Sequence, residues 1–314
     1  MKELLILAVV TAFTLVTYYL VEPFAHSQMH KHVEGEGFTY NDLPALVKTS
    51  GDVANGKDLV MGGAACIGCH TINVEGLEAS MDPASAAAAY GVNPPDLSNA
   101  GSVYDAKFLT ELIKNPSHAL MVEHKFNADK GEMHPMAPFY GLGGDIDQEV
   151  ADMVAYLQSI AKKGDELTPA MTYELACGRC HANHYEKWTQ IGTKPMFKKK
   201  QDELAFETNL LNYQESLTKY MGKLPPDLSI YIRSRGEHYI KTFIEDPQVY
   251  LKGTAMPRVG VNAEAAEKVI EFLEDSGDTK RHEREEVGKN VMIYIVIFAI
   301  FALLWKKQVW RDLH

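Results

Sequence analysis

The chain has 314 residues, with 31 Lys plus Arg against 42 Asp plus Glu and a formal net charge of −11. That length exceeds one ordinary domain of ~150 residues and leaves room for two small domains plus extra segments; the acidic balance argues against nucleic acid as a partner. Only four cysteines occur, all in two Cys-x-x-Cys pairs, so no thiol remains for a disulfide framework or a further thiolate centre.

The first element, Leu4 to Val21, is 18 residues without a charge. As a helix at ~1.5 Å per residue it spans about 27 Å, enough to cross a bilayer. Lys2 and the small residues around Ala25-His26-Ser27 also fit a cleaved secretory signal; the expectation is a retained anchor over residues 1–22. Residues 23–46 are polar and read as a solvated juxtamembrane segment. His26, His30 and His32 lie in it, but no carboxylate or Cys at a fitting spacing completes a metal site.

A first globular domain is expected over 47–162. Gly51 to Ala65 reads as a short helix with Asp52 as N-cap and Leu59 and Val60 in the core, and it delivers Cys66-Ile67-Gly68-Cys69-His70. Two cysteines at this spacing can form thioethers to the two vinyl groups of one haem, and the His that follows places an imidazole under the iron. Zinc is the rival reading of paired Cys-x-x-Cys, yet each pair here carries an immediate His and a separate downstream Met. Asp82 to Tyr90 is helix-prone, and Pro94-Pro95 is expected to stop it. Ala106 to Lys114 shows helical apolar spacing and ends at Asn115-Pro116. Met136 follows a longer loop. Ile146, Val150, Met153, Val154 and Leu157 then mark an amphipathic helix that Asp145 can cap.

After a polar linker from Lys163 to Thr168 the same order restarts, giving a second domain over 163–277. Cys177-Gly178-Arg179-Cys180-His181 is followed by Pro225-Pro226-Asp227-Leu228-Ser229, which matches Pro94-Pro95-Asp96-Leu97-Ser98 residue for residue. Met256-Pro257 takes the place of Met136, and Ala263 to Glu274 is the closing helix. Two such copies make two domains rather than a repeat array. They differ in two insertions, one before Met136 carrying His118, His124 and His134, the other from Ala182 to Leu224 with a predicted helix over Gln201 to Tyr220. Insertions of this length are solvated excursions or subunit contacts. A charged run, 278–290, reads as a solvated stalk. Val291 to Trp305 is short for a span, but Lys306, Lys307, Trp310 and Arg311 follow it as at a cytoplasmic interface, and Lys289 and Lys306 can snorkel to make up its length. Both termini, including the tail 306–314, are thereby expected in the cytoplasm.

His70 and His181 are the expected proximal iron ligands, Met136 and Met256 the distal ones. A His/Met haem is low-spin, six-coordinate and raised in reduction potential, and it exchanges electrons without opening for substrate. Met133 and Met121 are the rivals of Met136. Carbonyls of Pro95 and Pro226 are candidates to hold the second ring nitrogen of each His, with Leu97 and Leu228 packing on the porphyrin.

In these residues the sequence resembles the class I cytochrome c family, over both globular regions. The resemblance implies an all-α fold, two tandem class I domains flanked by an N-terminal and a C-terminal transmembrane helix, two covalently bound haem c groups, and maturation outside the bacterial cytoplasm. The whole layout is similar to the two-haem cytochrome c subunit that stands in for cytochrome c1 in some bacterial cytochrome bc complexes. It implies an electron carrier without bond-making chemistry of its own, in the inner membrane with haem domains on the periplasmic side. Its expected partners are membrane lipid, cytochrome b, a Rieske iron-sulfur protein as donor and a soluble, basic periplasmic cytochrome c as acceptor. The alternatives are the two-haem subunit of a cbb3-type oxidase, which normally lacks a C-terminal anchor, and a two-haem peroxidase, which needs an exchangeable sixth position. Residues 47–162 hold 7 basic against 15 acidic side chains, a net of −8, and 163–277 hold 15 against 17, a net of −2. The first domain is therefore the expected docking side for a basic acceptor, and the second the receiver from the Rieske protein.

Overall fold

In the computed structural model, which describes residues 2–31 and 35–311, the chain is mostly helical. It begins with α1 (Lys2–Val16), a π-helical turn (Thr17–Val21) and α2 (Glu22–Lys31), none of whose described side chains is buried. His32 lies outside the described residues, as do the side chains of His26 and His30.

The first half is built from α3 (Val53–Asp58), α4 (Pro83–Tyr90), α5 (Ala100–Val103), α6 (Ala106–Lys114), α7 (Pro116–Ala119) and α8 (Ile146–Ile160). Caps fix the starts: the Asp52 carboxylate accepts from Asn55 N at 2.9 Å, Asp82 from Ala84 and Ser85, Asp105 from Lys107 and Phe108, Asp145 from Asp147. Each satisfies an amide that the helix leaves unpaired. α4 stops before the Pro-Pro pair expected to end it, because Gly91 at φ +83° turns the chain first.

The second half contains α9 (Pro169–Ala176), a two-stranded ribbon of β1 (Trp188–Thr189) and β2 (Gly192–Thr193), α10 (Lys200–Met221), α11 (Tyr231–Arg235), α12 (Glu237–Glu245), α13 (Pro247–Tyr250) and α14 (Ala263–Gly277). In both halves an Asn/Asp-Pro step joins two helices in the same manner: the Asn115 carboxamide accepts from His118 N, the Asp246 carboxylate from Val249 N. The charged run expected as a stalk is helical from Arg281 on and continuous with the apolar stretch as α15 (Arg281–Trp310). Two helices, Lys2–Ala25 and Arg281–Trp310, are long and apolar enough to cross a membrane. Lys306 Nζ lies 2.5 Å from Glu3 Oε2, so the first turn of α1 and the last turns of α15 lie together.

Buried apolar side chains from both halves form one continuous cluster, running from Phe108, Met153 and Leu157 in the first to Tyr173, Val269 and Leu273 in the second. Residues 258–262 cross the junction: Asp105 N donates to Gly260 O, Asn262 N to Val103 O, and Arg258 N to Leu120 O. The segment read as solvated needs correction here. Phe38, Tyr40 and Leu43 are buried at 6%, 3% and 3% exposure, and the Tyr40 hydroxyl donates to Val261 O at 2.6 Å. Glu245 accepts from Phe38 N, and Asp42 pairs with the buried Arg258 at 2.8 Å. Burial of these three apolar side chains outweighs the polar residues around them.

The two insertions of unequal length also meet. Tyr220 near the end of α10 packs on Phe126 and hydrogen-bonds His134, Lys125 lies over both rings, and α10 rests on α4. Whatever else they meet, solvent or another subunit, the two insertions make a contact within the chain.

Candidate haem-attachment sites

Cys66 opens a tight turn after Ala65, which sits at φ +51°. In it Cys69 N donates to Cys66 O at 3.1 Å and His70 N donates to the same carbonyl at 2.9 Å. The second motif is delivered differently, running straight off α9 with Cys177 N donating to Tyr173 O at 2.8 Å, yet it closes the same way: Cys180 N and His181 N both donate to Cys177 O, at 3.0 and 2.9 Å. Each turn thus holds two thiols and an imidazole in one short loop.

Behind each ring the geometry repeats. His70 Nδ1 lies 2.8 Å from Pro95 O and His181 Nδ1 lies 2.8 Å from Pro226 O. A carbonyl can only accept, so Nδ1 carries the proton and Nε2 keeps its lone pair free for a metal. Burial lowers both imidazoles' affinity for a proton below the usual value, which keeps the rings neutral, the form that binds iron. The loops bearing the prolines are pinned in parallel. Leu97 N donates to Thr71 O and Leu228 N to Ala182 O, each at 2.9 Å and each to the residue after the His. Asp96 and Asp227 each accept from the Ser two residues on, at 3.0 Å. Leu97 and Leu228 are half-buried against the core.

Burial pushes the Cys66 thiol up to about 11 and the Cys177 thiol up to about 12. A closed zinc site on Cys-x-x-Cys pairs requires four ligands gathered in one place. Among the described residues no group of three or more His, Cys, Asp and Glu is placed so as to hold a metal ion, so the two Cys pairs do not combine into one four-ligand centre. Paired thiols in one turn with a His whose Nε2 is free fit a haem held by two thioethers.

The methionines differ in their surroundings. Met136 and Met256 are half-buried, whereas Met133 is 56% exposed and Met121 has its sulfur 3.0 Å from Arg258 Nη2. His134 ties the Met136 backbone to Tyr220: its Nδ1 lies 3.1 Å from Met136 N and its Nε2 lies 3.1 Å from the Tyr220 hydroxyl.

Sequence reasoning passed over three features beside these motifs. Arg179, inside the second motif, donates from Nη1 to Asn93 O at 2.9 Å, and Asn93 lies two residues before Pro95. Tyr213 of α10 donates to Arg179 O at 2.8 Å and accepts from Asn93 N at 3.3 Å. Arg258, two residues after Met256, is 1% exposed. The signal available was the Arg within Cys-Gly-Arg-Cys-His, a loop position where a small residue would serve.

Residues 53–161 match the family model described as Cytochrome c. A curated cytochrome c1 from Allochromatium vinosum is 21% identical, over 44% of this chain and 80% of that protein. A solved chain of a hyperthermophilic respiratory Complex III aligns with 46% of this chain and 75% of its own length, at 20% identity and a TM-score of 0.35. Residues 53–161 are thus a cytochrome c domain, of a family that carries haem c covalently and transfers electrons.

Proposed function

Starting from that cytochrome c domain, we propose that the chain is a two-haem, membrane-anchored electron carrier of a cytochrome bc complex, occupying the place of cytochrome c1. The observation that carries the second haem is the repeated arrangement at His181. Its 2.8 Å contact to Pro226 O, its Cys-x-x-Cys turn and its pinned Pro-Asp-Leu-Ser loop copy those of His70. On this reading 47–162 and 163–277 are two class I domains that share one core. Cys66 and Cys69 hold one haem, Cys177 and Cys180 the other. His70 and His181 supply the proximal nitrogen, Met136 and Met256 the distal sulfur. Each haem supplies a one-electron iron couple.

The protein's part is to keep each site rigid and closed. Pro95 and Pro226 fix the imidazole tautomer and orientation, which raises ligand basicity. Leu97 and Leu228 exclude water beside the ring. The soft thioethers of Met136 and Met256 favour the ferrous state. The exposed apolar faces of α1 and α15 suit burial in lipid and against a membrane subunit, and the Glu3–Lys306 contact supports both ends lying on one side. By the positive-inside pattern of Lys306, Lys307 and Arg311 that side is the cytoplasm, which leaves the haem domains in the periplasm. The weak similarity to cytochrome c1 supports a cytochrome b and a Rieske protein as partners, and the charge of −8 over 47–162 supports a basic soluble cytochrome as acceptor. The test is purification from membranes in mild detergent with identification of what remains bound. A cytochrome b and an iron-sulfur protein are expected; terminal-oxidase subunits in their place would move the chain to the oxidase.

A further inference from the structure

The two candidate haem sites are connected through one charged side chain. Arg179 belongs to the second motif by sequence, but its guanidinium reaches the first half, donating to Asn93 O at 2.9 Å beside the Pro94-Pro95 loop that holds His70. Tyr213 locks this junction from the other side with its two hydrogen bonds to Arg179 O and Asn93 N. Tyr104, Tyr220 and the Cys180 sulfur also lie near it, so these neighbours are phenols, a sulfur and a carbonyl. Among the described residues no carboxylate is a principal neighbour of Arg179, and its Nε is buried without a partner. A guanidinium does not lose its proton at any physiological pH. The guanidinium thus sits on a loop that reaches the first site: Asn93, whose carbonyl it holds, is two residues before Pro95, and Pro95 O lies 2.8 Å from His70 Nδ1.

We propose that Arg179, although part of the second haem motif, is a positioning residue for the first site, where its unpaired charge raises the reduction potential of the haem carried by His70. This inference rests on the two-haem reading above. Oxidation of a haem adds one positive charge at the iron. A fixed, poorly screened cation nearby disfavours the ferric form while leaving the ligands untouched. A unit charge acting over about 12 Å at an effective dielectric near 20 changes such an equilibrium by about tenfold. The opposite halves of the chain are thereby coupled: the residue that helps shape one site tunes the other, and the tuning depends on the docking of α10 against α4.

The experiment uses the full-length, detergent-solubilised, haem-loaded protein. Haem content is counted by pyridine haemochrome, and the two one-electron waves are resolved by spectroelectrochemical titration; Met136→His identifies the wave of the first haem. Arg179→Gln is expected to lower that wave by about tenfold in the oxidised-to-reduced ratio, ~59 mV for a one-electron couple, and Arg179→Lys to restore most of it. Because Arg179 lies within an attachment motif, Asn93→Asp supplies an independent route. It puts a carboxylate on the residue whose backbone carbonyl the guanidinium holds, without touching that motif, and the same downward shift is expected. Two haems with unmoved waves in Arg179→Gln or Asn93→Asp would overturn the proposal, as would equal shifts in the Gln and Lys variants, since position rather than charge would then be responsible. A single haem in the native protein is a different failure, of the two-haem reading itself.

Discussion

Helix α3 leads into the first Cys-x-x-Cys turn, and it lies against α8 at a glycine. An added Cβ at Gly56 would overlap the Asp152 carbonyl oxygen, stand 2.5 Å from the carbonyl carbon and 3.0 Å from Tyr156 Cβ. Unstrained carbon pairs sit ~3.5–4.0 Å apart. Gly56→Ala must therefore open the α3–α8 contact by about 1 Å. That movement also pulls on Asp152, which is 3% exposed and accepts from Asp52 N at 2.7 Å, Asn55 Nδ2 at 2.6 Å and Gln148 Nε2 at 2.8 Å. Overpacking costs ~1–3 kcal/mol, and weakening a hydrogen bond to a buried charge adds ~1.5 kcal/mol, giving a total loss of roughly 2.5–4.5 kcal/mol. For a chain of this size that is a fall in Tm of about 5–15 °C. The assay is thermal unfolding of the haem-loaded protein in detergent, followed by circular dichroism. Gly62→Ala is the control, because its Cβ would meet nothing within 4 Å. Equal melting of Gly56→Ala and the wild type would refute close backbone approach as the reason for glycine at 56.

Asp152 gives the chain a pH dependence of known sign. Burial alone would raise its carboxyl, but the Asn55, Asp52 and Gln148 donors more than offset this and hold it below the usual value. Its contribution is complete above the unfolded carboxylate value of ~3.9 and is lost as pH falls through the lower folded value. Asp152→Asn should accordingly flatten the acid limb of a stability–pH curve; an unchanged limb would exclude this group. Met136→Ala and Met256→Ala should each lower one haem's potential and let carbon monoxide bind at that iron, read by potentiometry and by the carbonyl difference spectrum; full carbon monoxide binding and peroxide turnover by the native protein would favour the peroxidase reading. Truncation after Gly288, which removes most of α15 while leaving its charged first turns, should abolish co-purification with membrane subunits. Retention of a cytochrome b would show that α15 is not the assembly element.

The parts of this chain that were legible in its sequence are those fixed by near neighbours. Asp52, Asp105 and Asp145 stand immediately before amphipathic runs, and each caps its helix. The twin Pro-Pro-Asp-Leu-Ser stretches announced a repeated loop, because Asp-to-Ser hydrogen bonds are local. What escaped depends on distant partners. Nothing within a few residues of Phe38 and Tyr40 reveals that Glu245 and Val261 await them, and both adopt positive φ. The landing of α10 on α4 is equally silent, since Tyr213 and Leu217 form a buried stripe whose other wall is Ala87, more than a hundred residues away. Arg179 was hidden for a further reason: the attachment chemistry is satisfied by the Cys and His around it, so its own target in the first half had no signature. The charged run 278–290 is as exposed as a solvated stalk requires, but charge density could not tell that from Arg281 it is helical and continuous with the apolar stretch, since an exposed helix is as well solvated as a coil.

The most direct test of the whole account is a count of haem c per chain, by pyridine haemochrome against protein mass, in the native protein and in Cys177→Ala/Cys180→Ala. Two covalent haems that fall to one in the double variant, with the remaining site still low-spin, are the predicted result. One haem in the native protein, or two in the variant, would contradict it.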